Sequence, residues 1–157
     1  MRTTALFLAN VLGRASRHAK PPVFRLLAHA KYVQSAYPEP VGDQARLIVP
    51  KDEATYRSTW KSLIDDGSAP PVDFARETPV FLFLGWKPTG GWDVEPVAVS
   101  ADKETIVVTA KVIGPKARQI VTEALTSPYA VIAVDRTRLV QVRWNDESGN
   151  TIAVAKP

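Results

Sequence analysis

Cysteine is absent from the 157 residues, which excludes disulfides, thiolate metal sites, cysteine nucleophiles and lipid attached through a thioether. Histidine is almost as scarce: His18 and His29 both lie near the N-terminus, and no further ligands crowd beside them in the sequence. No metal and no cofactor is therefore expected; His18 reads as a tail residue and His29 as a strand residue. With acids scattered singly over turns, no nucleophile, base and orienting group can be assembled, so the chain is not expected to be an enzyme. The paired Asp65 and Asp66 read as solvated groups at a helix end. Long apolar runs are also lacking. Ala5 to Gly13 is interrupted by Asn10, whereas a membrane-crossing helix needs about 20 apolar residues, so no integral span is expected.

The hydrophobic fraction of 45% and charged fraction of 23% fit a soluble, folded chain. The length suits one domain, and thirteen prolines and eight glycines call for many turns. The net charge of +4 raises the question of nucleic acid, and the location of the charge answers it. Six of the 20 basic residues (Arg2, Arg14, Arg17, Lys20, Arg25, Lys31) precede the first acid, Glu39, which leaves 14 basic against 16 acidic residues beyond. A basic head on a slightly acidic body, without the aromatic-basic signature of an RNA-binding sheet, argues against a nucleic-acid partner. The head, residues 1–22, ends at Pro21-Pro22 and reads as a tail or a signal segment. Secretory signal, amphipathic helix and a start trimmed from a longer signal all stand open, and with them export.

The body, residues 23–157, is expected to be a single mainly β domain of α+β type: an antiparallel sandwich or open barrel with one amphipathic helix. Val23 to Tyr37 and Ala45 to Val49 read as extended. After Pro50, the acids Asp52 and Glu53 precede Tyr56, Trp60, Leu63 and Ile64 on one helical face, predicting three to four turns that end at Asp66-Gly67. Trp60 is then a core anchor, and Asp73 closes an Asx turn rather than acting as a catalytic acid. Val80 to Leu84 is apolar throughout and suits a strand covered on both faces. Trp92 to Ser100, an alternating Thr105 to Ile113, Tyr129 to Val134, Leu139 to Trp144 and Thr151 to Val154 supply further strands, with helical character in Ala117 to Leu125.

Between two of these strands stands Trp86-Lys87-Pro88-Thr89-Gly90-Gly91-Trp92. Proline presets φ, and Gly90 and Gly91 permit φ > 0, as a tight hairpin turn requires. Tryptophans at both shoulders resemble a protein-binding hot spot, while a structural turn with the rings packed inward uses the same residues; both readings stand. The spacing is not that of a phosphate loop, and the strand that follows excludes a dinucleotide fingerprint.

Val80 to Ser100, Val107 to Pro115 and Ala124 to Val131 resemble the C-terminal domain of PrcB, a bacterial protease-complex subunit. The helix with Trp60 and the Pro70 to Phe74 segment resemble the region preceding that domain, so the likeness runs from Val23 to Trp144. It implies a non-catalytic accessory that binds and stabilises a protein partner, a protease; the hot-spot reading of Trp86 to Trp92 makes that stretch the expected partner-binding loop. Family members include lipoproteins, but this sequence offers no cysteine to acylate, so membrane anchoring by lipid is not carried over and a lipoprotein is not expected. The loop is also similar to the Asn-Pro-Thr-Thr-Gly-aromatic loop of chagasin-like peptidase inhibitors, with Lys87 and Gly90 replacing two of its residues and no Arg-Pro-Trp element elsewhere. Inhibition is the alternative that this second likeness implies; oligomeric state is not legible.

Overall fold

The structure, a computed structural model, describes residues 22–31, 42–64 and 67–157. The basic head, His18, the stretch Tyr32 to Tyr37 and the Asp65-Asp66 pair lie outside the described residues. Among the described residues, eight strands and one helix follow in the order β1 Phe24–Ala30, β2 Arg46–Ile48, α1 Glu53–Leu63, β3 Glu77–Phe83, β4 Asp93–Asp102, β5 Thr105–Ile113, β6 Tyr129–Asp135, β7 Gln141–Asn145 and β8 Thr151–Ala155. They form two four-stranded sheets, ordered β1-β6-β3-β2 and β4-β5-β7-β8.

Strand β3, apolar from Pro79 to its end, has two partners, one on each face. Val80, Leu82 and Leu84 join Ala130, Ile132 and Val134 of β6 in the core between the sheets, which Ile106, Val108, Val142 and Trp144 close from the other side. The alternate residues Phe81 and Phe83, with Tyr129 and Val131, face α1 and pack against Tyr56, Trp60, Leu63 and Ile64. Period two on the strand and period 3.6 on the helix thus meet in one aromatic row. Trp60 lies edge-on to Phe81 at 6.3 Å between ring centroids, and Phe81 stacks on Phe83 at 6.0 Å. The arrangement is a sandwich with α1 as a third layer over the first sheet.

Helix α1 starts where the sequence places it, because the Asp52 carboxylate accepts the Thr55 N–H at 2.8 Å. Its last helical residue is Leu63, with Ile64 as the C-cap, so it runs three turns, within the three to four expected. Asp73 closes its Asx turn by accepting the Ala75 N–H at 3.0 Å. Nearby, Arg25 of β1 donates to both Glu77 carboxylate oxygens at 2.7 and 2.8 Å and holds that carboxyl below the usual range.

Two expectations are corrected. Ala117 to Leu125 forms turns and bends rather than a helix: Arg118 sits at φ 66°, outside the right-handed helical region. And the second sheet is mixed, because β7 runs parallel to β5, pairing Thr105 with Gln141 and Thr109 with Asn145. After β5 the chain crosses to the first sheet, runs back along β6, and returns beside the start of β5, where Val140 and Gln141 donate to the Glu104 carbonyl. A strand laid down from there can only run in the direction of β5.

Burial pushes the Tyr56 phenol up to about 12 from an ordinary 10.0, and its hydroxyl donates to the Pro70 carbonyl at 2.9 Å. Because the unfolded chain ionises first, stability is fully present below pH 10 and is lost as the pH rises toward 12. The loss should reach about 2 kcal/mol after allowance for solvent screening. Denaturation midpoints of the native chain and Tyr56→Phe, compared at pH 9 and pH 11.5, check this: the native chain should lose more over that interval, and equal losses would refute the assignment to Tyr56.

Candidate functional site

The stretch from Trp86 to Trp92 begins where β3 leaves the first sheet. The Leu84 N–H still donates to the Pro128 carbonyl at 2.9 Å, and the chain then turns at Gly85, whose φ of 81° takes it into the left-handed region. A Cβ there would lie 2.7 Å from backbone atoms of Asp43 and Gln44, so position 85 admits only glycine on both counts. Since β4 belongs to the other sheet, the segment is a crossover between layers and not the hairpin that its residue chemistry suggests.

What holds the crossover in shape is the connection between β5 and β6. Lys87 and Thr126 exchange both backbone hydrogen bonds, at 2.8 and 2.9 Å, and the Thr126 hydroxyl donates to the Thr89 carbonyl at 2.9 Å. The Gly90 N–H donates to the Thr122 carbonyl at 2.9 Å. Gly91 takes the left-handed conformation at φ 82°, as expected, but Gly90 does not. Glycine serves at position 90 for space: a Cβ would lie 2.4 Å from the Thr122 hydroxyl oxygen.

The two tryptophans are half-buried. Trp92 packs on the edge of the inter-sheet core with its indole N–H enclosed. Gly114 lies against one part of its ring, where a Cβ would come within 3.2 Å, and the Lys87 ammonium stands 5.4 Å from the ring centroid. That arrangement is a cation–π contact. The inward reading therefore holds for much of Trp92, while Pro88 is exposed and Lys87 and Thr89 are half-buried at the rim. One residue further, Asp93 accepts from the Val94 N–H and meets His29 Nε2 of β1 at 2.7 Å, joining the two sheets beside the loop.

All seven residues expected at the site thus come together at one end of the sandwich. The residues missed are their supports, Gly85, Thr122, Thr126 and Gly114. Thr122 and Thr126 lie more than thirty positions away along the chain, and no local pattern links them to the loop. A separate polar cleft of about 280 Å³, lined by Lys51, Glu77, Arg136 and Arg138 among others, opens at the start of β3, away from this end. Among the described residues no group of three or more histidine, aspartate or glutamate side chains is placed to hold a metal. No helix among them is long and apolar enough to cross a membrane.

With that geometry in place, the chain can be compared with known families. Residues 78–135 match the family model described as PrcB C-terminal. The PrcB C-terminal match runs from β3 to β6 and so contains the crossover and its backbone partners Thr122 and Thr126, while its third backbone partner, Gly42, lies before the matched span. Strands β1 and β2, helix α1 and strands β7 and β8 fall outside it. The resemblance read from Val80 to Ser100, Val107 to Pro115 and Ala124 to Val131 is borne out over that segment. Comparison with the curated proteins and with the solved structures gives no match.

Proposed function

We propose that the chain is a non-catalytic accessory subunit that binds and stabilises a protease, with the Trp86 to Trp92 crossover in the contact surface. The observation that carries this reading is the PrcB C-terminal match, whose span holds the crossover together with Thr122 and Thr126, which fasten it. Such a match speaks of a protease-complex subunit; the residue-level assignment rests on the local chemistry. Paired backbone bonds and glycines in a required conformation make a rigid display, which lowers the ordering cost of binding. The exposed Pro88 and the rim residues Lys87 and Thr89 are the groups such a display offers.

The test is the double variant Lys87→Ala with Thr89→Ala. The fold keeps the backbone bonds of both residues and loses only the Lys87 contact with Trp92, so the thermal midpoint should stay within a few degrees. Affinity for the protease that co-purifies with the full-length chain should fall about thirtyfold, or about 2 kcal/mol. Unchanged affinity in the folded double variant would remove the crossover from the contact. An accessory should also lengthen the lifetime of its protease in a thermal inactivation assay, by linkage of binding to folding. A lowered rate on small substrates would instead identify an inhibitor.

A further inference from the structure

The connection from Gly114 to Pro128, which fastens the crossover, carries an apolar side chain in full view of solvent. Ile120 is 99% exposed and Leu125 is 51% exposed. Isolated exposed aliphatics are ordinary, but Ile120 sits at the exit of a turn closed twice. The Gln119 N–H donates to the Lys116 carbonyl at 3.0 Å, and the Lys116 N–H donates back to the Gln119 side-chain oxygen at 2.9 Å. Inside that turn Arg118 adopts φ 66°, a conformation uncommon outside glycine that persists where surrounding bonds hold it. Two residues beyond Ile120, the Thr122 carbonyl takes the Gly90 N–H, so the isoleucine is pinned from both sides.

The charge carried by this connection and the crossover is mainly positive. Lys116 and Arg118 stand in the turn, Lys87 lies on the adjoining crossover, and the connection itself carries Glu123 as its one acid. We infer that Ile120 is an apolar anchor for the partner protease, seated in a hydrophobic pocket whose rim is acidic and meets Arg118 and Lys116. This rests on the proposed protease-binding role and extends its contact surface from the crossover to the turn. A side chain presented fully exposed on a closed turn gains buried apolar area on docking at little ordering cost, and a cationic rim favours an acidic partner surface.

The experiment measures affinity of the full-length chain for the separately purified co-purifying protease, comparing Ile120→Asp, Arg118→Glu and the Lys87→Ala/Thr89→Ala double variant. Since Ile120 has no buried surface to lose, Ile120→Asp should leave the thermal midpoint unchanged and weaken binding at least thirtyfold. Arg118→Glu should weaken it about tenfold at low salt, and that loss should shrink as ionic strength rises. Native affinity in Ile120→Asp alongside a weakened double variant would overturn this inference and leave the protease-binding crossover standing. Absence of any binding by the native chain would overturn both. Loss of a dimer in sedimentation on Ile120→Asp, with protease affinity kept, would show that a second copy occupies the anchor and would overturn the inference as well.

Discussion

Trp60→Ala is expected to remove about 3–5 kcal/mol of stability, the cost of emptying a large, well-packed aromatic site. Trp60 is 3% exposed and is the point at which α1 grips the first sheet, edge-on to both Tyr56 and Phe81. The surrounding cluster of Tyr56, Leu63, Ile64, Phe81 and Phe83 is fully buried, so a cavity there has few mobile neighbours to close it. Its indole N–H has no hydrogen-bond partner among the described residues, so Trp60→Phe should lose much less, since it surrenders area without breaking a polar contact there. Urea denaturation of the two variants checks the pair, and a native midpoint for Trp60→Ala would show that α1 does not depend on this contact. Trp92→Ala should fall between these cases. Its ring is half-buried at the core edge, so both folding and partner binding should respond.

Gly85→Ala should cost about 2–5 kcal/mol, the second of the large effects. Two penalties combine at this position. A left-handed φ of 81° disfavours any Cβ by about 1–2 kcal/mol. The Cβ would also lie 2.7 Å from the Asp43 carbonyl group and the Gln44 carbonyl oxygen, and forcing backbone apart in a packed region costs roughly 1–3 kcal/mol. Because Trp86 donates its N–H to the Gly42 carbonyl at 3.0 Å, displacing the Gly42 to Gln44 segment would carry the crossover with it. Gly149→Ala is the control. Its φ of 86° is equally left-handed, but nothing lies within 4 Å of the added Cβ, so it should show the conformational penalty alone. Equal losses in the two variants, measured by thermal denaturation, would mean that the close approach at Gly85 carries no energy.

Helix α1, the strand positions and the Asx turn at Asp73 were legible in the sequence because each is governed by interactions within a few residues. Asp52 caps its own helix three positions on, and the Tyr56, Trp60, Leu63 spacing is the period of a single helix. The double coverage of β3 was legible too, since a strand without a polar face has no other stable environment. At the candidate site the seven residues could be named, but the role of Gly90 could not. Its need for glycine comes from Thr122, thirty-two positions away, and the residue type at position 90 carries no mark of that neighbour.

By itself, then, the chain's sequence determined which segments extend, where α1 begins, which faces are apolar, that disulfides are out of reach, and which family its central segment resembles. Those properties follow from local backbone preference, side-chain periodicity and residue chemistry. Only the tertiary structure decided that β3 and β4 lie in different sheets, which turns an expected hairpin into a crossover. It alone decided that β7 joins β5 in parallel, that Asp93 meets His29 across the layers, and that the β5–β6 connection holds the crossover rigid while leaving Ile120 in water. Each of these depends on contacts between residues distant in the chain, whose pairing is set by how the two sheets and the helix share one core.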